Sequence, residues 1–251
     1  MTEYSIIIPF YKKLLEFKLV FPLNWRHLKK LDCEVVICMD DPHDERELLD
    51  FIKTFDGKFR VIINREPHSW RPPSRAINVG IKNALGQYII VISPESAFDN
   101  LLLYRLISSS NEKSFSIGKL KKAQLEDLAA GNSVETVSCK INNSFGYYGS
   151  ICIKKSILES VNGYDESLIY WGGDDDNLRA RLKLIGYKQN LIDSYIVHFE
   201  NDSSPKRGER SSDPDYYKQL LNPSSPITNN EGWGDTFQEV VHDWVQGDKN
   251  G

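Results

Sequence analysis

Short apolar runs punctuate the first hundred residues, and they constrain the fold more than any other feature of the chain. Ser5-Ile6-Ile7-Ile8-Pro9 is β-branched and closed by a proline, the pattern of a buried strand. Glu34–Met39, Arg60–Asn64 and Gln87–Ile92 repeat it. Between these runs lie stretches of helical spacing. One covers Leu14–Leu31, interrupted near Pro22. A second covers Glu45–Phe55, with Leu48, Leu49, Ile52 and Phe55 on one face. The third runs from Ser74 to Leu85 and is ended by Gly86. Strand and helix in alternation predict an α/β fold, with a mixed, mostly parallel sheet flanked by helices. Ligands of such sheets collect at the carboxyl ends of the strands. Those ends carry Pro9-Phe10-Tyr11, Asp40-Asp41 and Ser93-Pro94-Glu95-Ser96.

Beyond residue 100 the pattern is less regular. Leu101–Ile141 reads as a helix followed by a segment rich in Lys and Glu whose structure stays open. Phe145–Ile153 reads as a strand, Gly163–Glu166 as a turn, and Lys188–Phe199 as a last strand containing His198. Residues 1–200 are therefore expected to form the main domain and 201–251 a carboxyl-terminal extension of loops and one amphipathic helix. That helix rests on Phe237, Val240, Val241, Trp244 and Val245, and residues 247–251 are expected to be disordered.

With 251 residues, 40% of them hydrophobic and 26% charged, the composition is that of an ordinary globular protein. A net charge of −4 and scattered basic residues argue against a nucleic-acid partner. Tyr4–Phe10 is too short for the core of a signal peptide, and no window approaches a membrane span. These features predict a cytoplasmic protein, with membrane contact at most peripheral to the inner face. Cys33, Cys38, Cys139 and Cys152 show no paired spacing and read as reduced thiols.

The stretch richest in chemistry is Trp171-Gly172-Gly173-Asp174-Asp175-Asp176-Asn177, directly ahead of Leu178-Arg179-Ala180-Arg181-Leu182. Carboxylates at a helix start are stabilised by its unpaired N–H groups and dipole, and one can cap it. That alone describes a capped helix with a solvated acidic start. It leaves the preceding aromatic residue and two glycines unexplained. Glycine reaches backbone angles closed to other residues and lets a ligand approach the main chain. Trp171 offers a flat apolar face for a sugar ring. Together these residues suit an acceptor site with a general base beside it.

The amino-terminal half resembles the nucleotide-sugar domain of family 2-type glycosyltransferases with the GT-A fold. The matching features are Ser5–Tyr11, the strand ending in Asp40-Asp41, and Arg75-Ala76-Ile77-Asn78-Val79-Gly80-Ile81. Trp171–Asp176 is similar to the WGGEDD segment of the galactosyltransferase and N-acetylgalactosaminyltransferase branch, which includes bacterial chondroitin-type polymerases. The likeness covers roughly residues 4–200. It implies an inverting enzyme that moves galactose or N-acetylgalactosamine from a UDP-sugar to a glycan, such as a surface polysaccharide or a lipid-linked oligosaccharide. Pro9 and Tyr11 would line the nucleoside pocket, and Asp40 would hydrogen-bond the uracil or ribose. Arg75 would approach the diphosphate or base, with Asn78 supporting that turn in the donor site. Asp175 matches the catalytic base and Asp174 the acid that holds the acceptor, beside Trp171, Gly172 and Gly173.

One departure stands out. The family carries Asp-x-Asp at the end of the fourth strand, and this chain has Ser93-Pro94-Glu95. Glu95 with His198, matched to a metal-binding histidine late in the family fold, would bind Mn²⁺ or Mg²⁺ together with two diphosphate oxygens. Without a metal, Lys and Arg side chains would stabilise the leaving group. The departure also admits a non-catalytic nucleotide- or glycan-binding module, against which the Asp174-Asp175 pair speaks. A nucleotidyltransferase would need a glycine-rich basic loop where Tyr11-Lys12-Lys13 stands. His68, Trp70 and Arg71 cluster in a loop beside the proposed donor site, as donor contacts or as packing. Trp233, between two glycines, reads as an acceptor cover or a packing residue.

Overall fold

The computed structural model describes residues 2–141, 147–203, 208–237 and 239–244. The first half alternates as β1 (Tyr4–Phe10), α1 (Leu14–Leu28), β2 (Cys33–Met39), α2 (Glu45–Ile52), β3 (Lys58–Ile63), α3 (Ser74–Asn83) and β4 (Tyr88–Val91). The second half adds β5 (Ser96–Phe98), α4 (Leu102–Ser109), β6 (Ser114–Gln124), α5 (Leu125–Ala129), β7 (Lys140–Ile141) and β8 (Tyr147–Lys154). It continues with α6 (Lys155–Glu159), α7 (Asp174–Leu184), β9 (Lys188–Glu200), α8 (Tyr216–Leu221) and β10 (Glu239–Asp243).

All the strands join one sheet in the order β10-β3-β2-β1-β4-β8-β6-β9-β5, with β7 paired to β6. β3, β2, β1 and β4 run parallel, and β8 turns antiparallel beside β4. The apolar runs are continuous because each strand feeds two cores. Ile6, Ile8, Val35, Ile37 and Met39 pack with Phe17, Phe21, Leu48 and Leu102 on one face. Ile7, Val36 and Cys38 pack on the other with Ala76, Ile77, Leu178 and Leu182. Successive side chains point to opposite faces, so a strand covered on both sides has no polar alternation to show. The cysteines are unpaired, and burial pushes the Cys33 and Cys152 thiols up to about 12.

Three elements differ from the sequence reading. α1 is not interrupted at Pro22 but runs through it. Proline forfeits one helical hydrogen bond, and the loss is offset by Phe17, Val20, Phe21 and Leu28, all buried on the same helix. The open Lys-rich segment contains β6, a long interior strand. Its Lys119 and Lys122 reach Asp193 and Glu200 of β9, each at 2.5 Å. The expected terminal helix is instead β10, an edge strand antiparallel to β3 with an irregularity between Val240 and His242. The open edge of β3 supplies hydrogen-bond partners that outweigh a weak helical spacing. Val245 and residues 247–251 lie outside the described residues. Among the described residues, no helix is long and apolar enough to cross a membrane.

Candidate active site

The carboxyl ends of β1, β2 and β4 open into one cleft. Pro9, Tyr11, Asp40 and Glu95 line it, together with Trp70, Arg71 and, from the other half of the chain, Trp171. The turn after β1 is tight. Lys12 sits at φ 51, a left-handed conformation uncommon for a side chain of its size. Its ammonium lies 5.1 Å from the Tyr11 ring and 3.2 Å from Asp41, which raises its pKa. Tyr11 in turn stands 6.0 Å from the His68 ring.

Asp40 is the hub of the wall at the strand ends. Arg71 grips its carboxylate with two nitrogens, at 2.9 and 2.5 Å, and Asn64 donates to it at 3.2 Å. His68 Nε2 lies 2.6 Å from the Asp40 carbonyl oxygen. The fork-to-carboxylate geometry is the strongest ion pair a side chain can offer. As folded, Asp40 therefore fastens the loop of residues 64–73 to the carboxyl end of β2. Sequence reasoning singled out His68 and Arg71 but not this shared anchor, nor Asn64 at the end of β3.

Arg75 and Asn78 fall elsewhere. Arg75 is half-buried in the first turn of α3 and is not among the cleft-lining residues, where Arg71 stands instead. Asn78 corrects the expectation of a donor-site residue. It is fully buried, and its amide is consumed by the Tyr164 backbone and Glu166. It fixes the loop ahead of the acidic segment and presents nothing to a nucleotide.

Glu95 and His198 come together from β5's leading edge and β9. Register places Ser96 opposite His198, and the His198 Nε2 to Glu95 Oε1 distance is 3.9 Å. Ser96 Oγ lies 3.1 Å from Nδ1, which orients the ring so that Nε2 faces Glu95. Both side chains are buried. Among the described residues no group of three or more His, Cys, Asp or Glu is placed to hold a metal ion. The pair fits a cation only as a half-set, with oxygen ligands completed by an anionic partner.

Trp171 reaches the cleft from the other half of the chain, and the acidic segment follows it directly. Gly172 and Gly173 take φ 87 and 93, angles at which a side chain is strained. A Cβ on Gly173 would stand 2.5 Å from Leu220 of α8, whereas one on Gly172 would meet open space. Gly173 is the residue that caps α7, so no aspartate side chain caps it. Asp174, Asp175 and Asp176 occupy its first turn, where the dipole favours them. Burial pushes the Asp174 carboxyl up, opposed by N–H bonds from the helix start. Asp176 pairs with Arg179. Asp175 lies beside Tyr164, Ser150 and Arg179.

Trp171 is held by residues that carry no sequence signal. Its N–H donates to the Glu209 carbonyl at 3.0 Å, and its own carbonyl accepts from Tyr217 Oη at 3.0 Å. The Arg210 guanidinium lies over both aromatic rings, 5.1 Å from Trp171 and 4.9 Å from Tyr217. Gly208 packs against Trp70, so close that a Cβ would come within 2.0 Å of that ring. Residues 208–217 thus touch both tryptophans of the cleft. Trp233, by contrast, is a packing residue, buried in the core with Lys82 4.4 Å above its ring.

Residues 5–150 match glycosyl transferase family 2. The chain belongs to that family. A second match, to the N-terminal domain of galactosyltransferase, covers residues 129–202 and so includes the three aspartates. The catalytic domain of Drosophila beta1,4galactosyltransferase 7, solved with xylobiose, superposes with a TM-score of 0.60 at 13% identity, over 90% of this chain and 83% of that one. A mutant of the same enzyme, in complex with manganese, UDP-Gal and xylobiose, gives 0.58 at 15% identity, over 89% and 80%. S. aureus TarS 1–349 gives 0.56 at 14% identity, over 78% of this chain and 60% of that one. These likenesses establish the GT-A fold. The protein is a glycosyltransferase of family 2, and the cleft at its strand ends is where a fold of this kind binds its ligands.

Proposed function

We propose that this glycosyltransferase moves galactose or N-acetylgalactosamine from a UDP-sugar to a glycan acceptor, with inversion at the anomeric carbon. The acceptor class would be a growing polysaccharide or a lipid-linked oligosaccharide. The observation that supports the reading is the cleft that brings the strand-end residues Pro9, Tyr11 and Glu95 together with Trp171, three residues ahead of the acidic start of α7. The two galactosyltransferase 7 structures support these donor and acceptor classes, since one holds UDP-Gal and both hold xylobiose.

In this reading Pro9 and Tyr11 take the nucleoside, and Arg71 borders the diphosphate while anchored to Asp40. Trp171 presents its ring to the acceptor sugar, and Asp174 receives hydroxyl groups of that sugar. Asp175 accepts the proton of the attacking hydroxyl as its oxygen bonds to the anomeric carbon. The bond from that carbon to the UDP oxygen breaks on the opposite face, and UDP leaves with its electron pair. Glu95 and His198 would hold a divalent cation, which when bound offsets the charge that grows on the departing diphosphate.

Calorimetric titration of UDP with Mn²⁺ and then with EDTA tests the donor half. Binding that requires the metal supports the Glu95–His198 assignment. Equal binding in both keeps the pocket and discards the metal, and no binding in either refutes the donor site. Asp175→Asn tests the base. Turnover should fall by about 10²–10⁴-fold with UDP affinity unchanged, and near-normal turnover would show that another group takes the proton.

A further inference from the structure

Behind the acidic start of α7 lies a second, much smaller space. It is lined by Ile117 of β6, Ser150 and Ile151 of β8, Tyr164, and Asp175, Leu178 and Arg179 of α7. Its volume of about 10 Å³ is close to what one water molecule occupies. Two of its polar groups are orphans among the described residues. Ser150 Oγ and Tyr164 Oη are both buried, at 1% and 0% exposure, and neither has a hydrogen-bond partner. Buried hydroxyl groups are almost always hydrogen-bonded. Here two belong to residues that line one space, whose other polar lining residues are Asp175 and Arg179.

We propose that this space is a built water site, and that Tyr164 and Ser150 act through its water as positioning residues for the Asp175 carboxylate. The inference rests on the reading of Asp175 as the base, although the site itself is defined by geometry alone. The chemistry balances as a hydrogen-bond chain. The water accepts from Tyr164 and Ser150 and donates to one oxygen of the Asp175 carboxylate. Such a chain fixes the rotamer of the carboxylate and stabilises its charged form.

Among the described residues, Asp174 and Asp176 flank the carboxylate on α7, Arg179 lies one turn on, and the β6 and β8 residues lining the space, Ile117, Ser150 and Ile151, are neutral. Arg181 and Asp174 act on Tyr164 from further along α7, and burial with the two aspartates raises the phenol well above its usual range. The phenol therefore stays a donor throughout the working pH range.

The test reads Asp175 directly, in protein labelled with ¹³C-aspartate, its carboxyl resonance assigned by its loss in Asp175→Asn. Tyr164→Phe removes one oxygen with almost no change of shape. Its expected effect is an upward shift of the Asp175 titration by about half a pH unit, roughly a threefold gain in proton affinity. Ser150→Ala should shift it in the same direction. The double variant should shift it by less than the sum, because both hydroxyls act through one water. An unchanged titration in Tyr164→Phe overturns the inference. Should either variant fail to fold, a high-resolution crystal structure of the unaltered protein decides. A water bonded to both hydroxyls supports the site, and its absence from clear density refutes it. Activity of Asp175→Asn separates the two claims, since it reports on the base whatever the titration shows.

Discussion

Arg181→Met should be among the most destabilising single changes in this protein. Arg181 is fully buried on α7, and all its hydrogen-bond partners are fixed. Nε donates to Asn177 Oδ1 at 2.8 Å, one terminal nitrogen to the carbonyls of Val161 and Pro226 at 3.0 and 3.1 Å, and the other to that of Gly163 at 2.7 Å. Burial pulls the guanidinium down to about 10, opposed by the charge of Asp165, so it remains charged at neutral pH. Methionine refills most of the volume but leaves these acceptors facing an apolar chain. Three of them are backbone carbonyls, which no second substitution can remove. Stranding one buried acceptor costs about 1–3 kcal/mol, and breaking a buried charge network about 3–5 kcal/mol. We take about 3–5 kcal/mol as the expected loss, because relaxation and the apolar gain of methionine offset part of the sum. At about 2–4 °C per kcal/mol for a chain of this size, Tm should fall by about 6–20 °C. Urea denaturation followed by tryptophan fluorescence measures it, with the midpoint lowered and the slope unchanged. A loss below about 1 kcal/mol would mean the carbonyls find other partners, and that Arg181 does not staple α7 to the 161–163 and 226 segments.

Asp174→Asn should stabilise the protein at neutral pH. Burial raises Asp174 above its unfolded value, so its contribution is fully present below that value and is lost as pH rises through the folded one. The advantage of the variant should therefore grow from about pH 4 upward. A variant no more stable than the parent at pH 7 would contradict the burial argument. Glu95→Ala and His198→Ala should each weaken UDP binding at least about tenfold in Mn²⁺ and leave it unchanged in EDTA. An equal loss in chelator would exclude a role through metal. Truncation after Glu200 should abolish cooperative unfolding, because Trp233 and Phe237 are buried in the main core and β10 covers β3. A soluble, cooperatively folding 1–200 fragment would show that the tail is a separable extension.

The first hundred residues were legible because parallel strands with two buried faces leave an unmistakable apolar run. β1 and β2 are buried at every position bar one, Pro9, which is itself half-buried at the cleft. β6 was not legible for the opposite reason. Its exit from the core carries Lys119, Lys121 and Lys122, and in sequence an interior strand with lysines at its end looks like a solvated linker. The carboxylates that pair two of those lysines lie about 75 residues away on β9. No local pattern could announce them. β10 failed similarly, since what decides between helix and strand there is the free edge of β3 and not the spacing of two valines.

The site divides along the same line. Residues at strand ends were legible as neighbours lining one cleft, because strand polarity alone determines where Pro9, Tyr11, Asp40 and Glu95 must lie. Residues on α3 were not, because a helix turns its side chains by about 100° per residue. Arg75 and Asn78 follow the same strand as Arg71, yet Asn78 faces the Tyr164 loop and Arg71 faces the cleft. The Trp171 side of the cleft shows the limit most clearly. Trp171 and the glycines announced it, but Glu209, Arg210 and Tyr217, which hold Trp171, come from a stretch that reads as plain loop. Since Gly208 also packs on Trp70, one short segment sets the distance between the two tryptophans and hence the width of the cleft. The geometry of this cleft is therefore written partly in residues whose only distinguishing property is where the fold returns them.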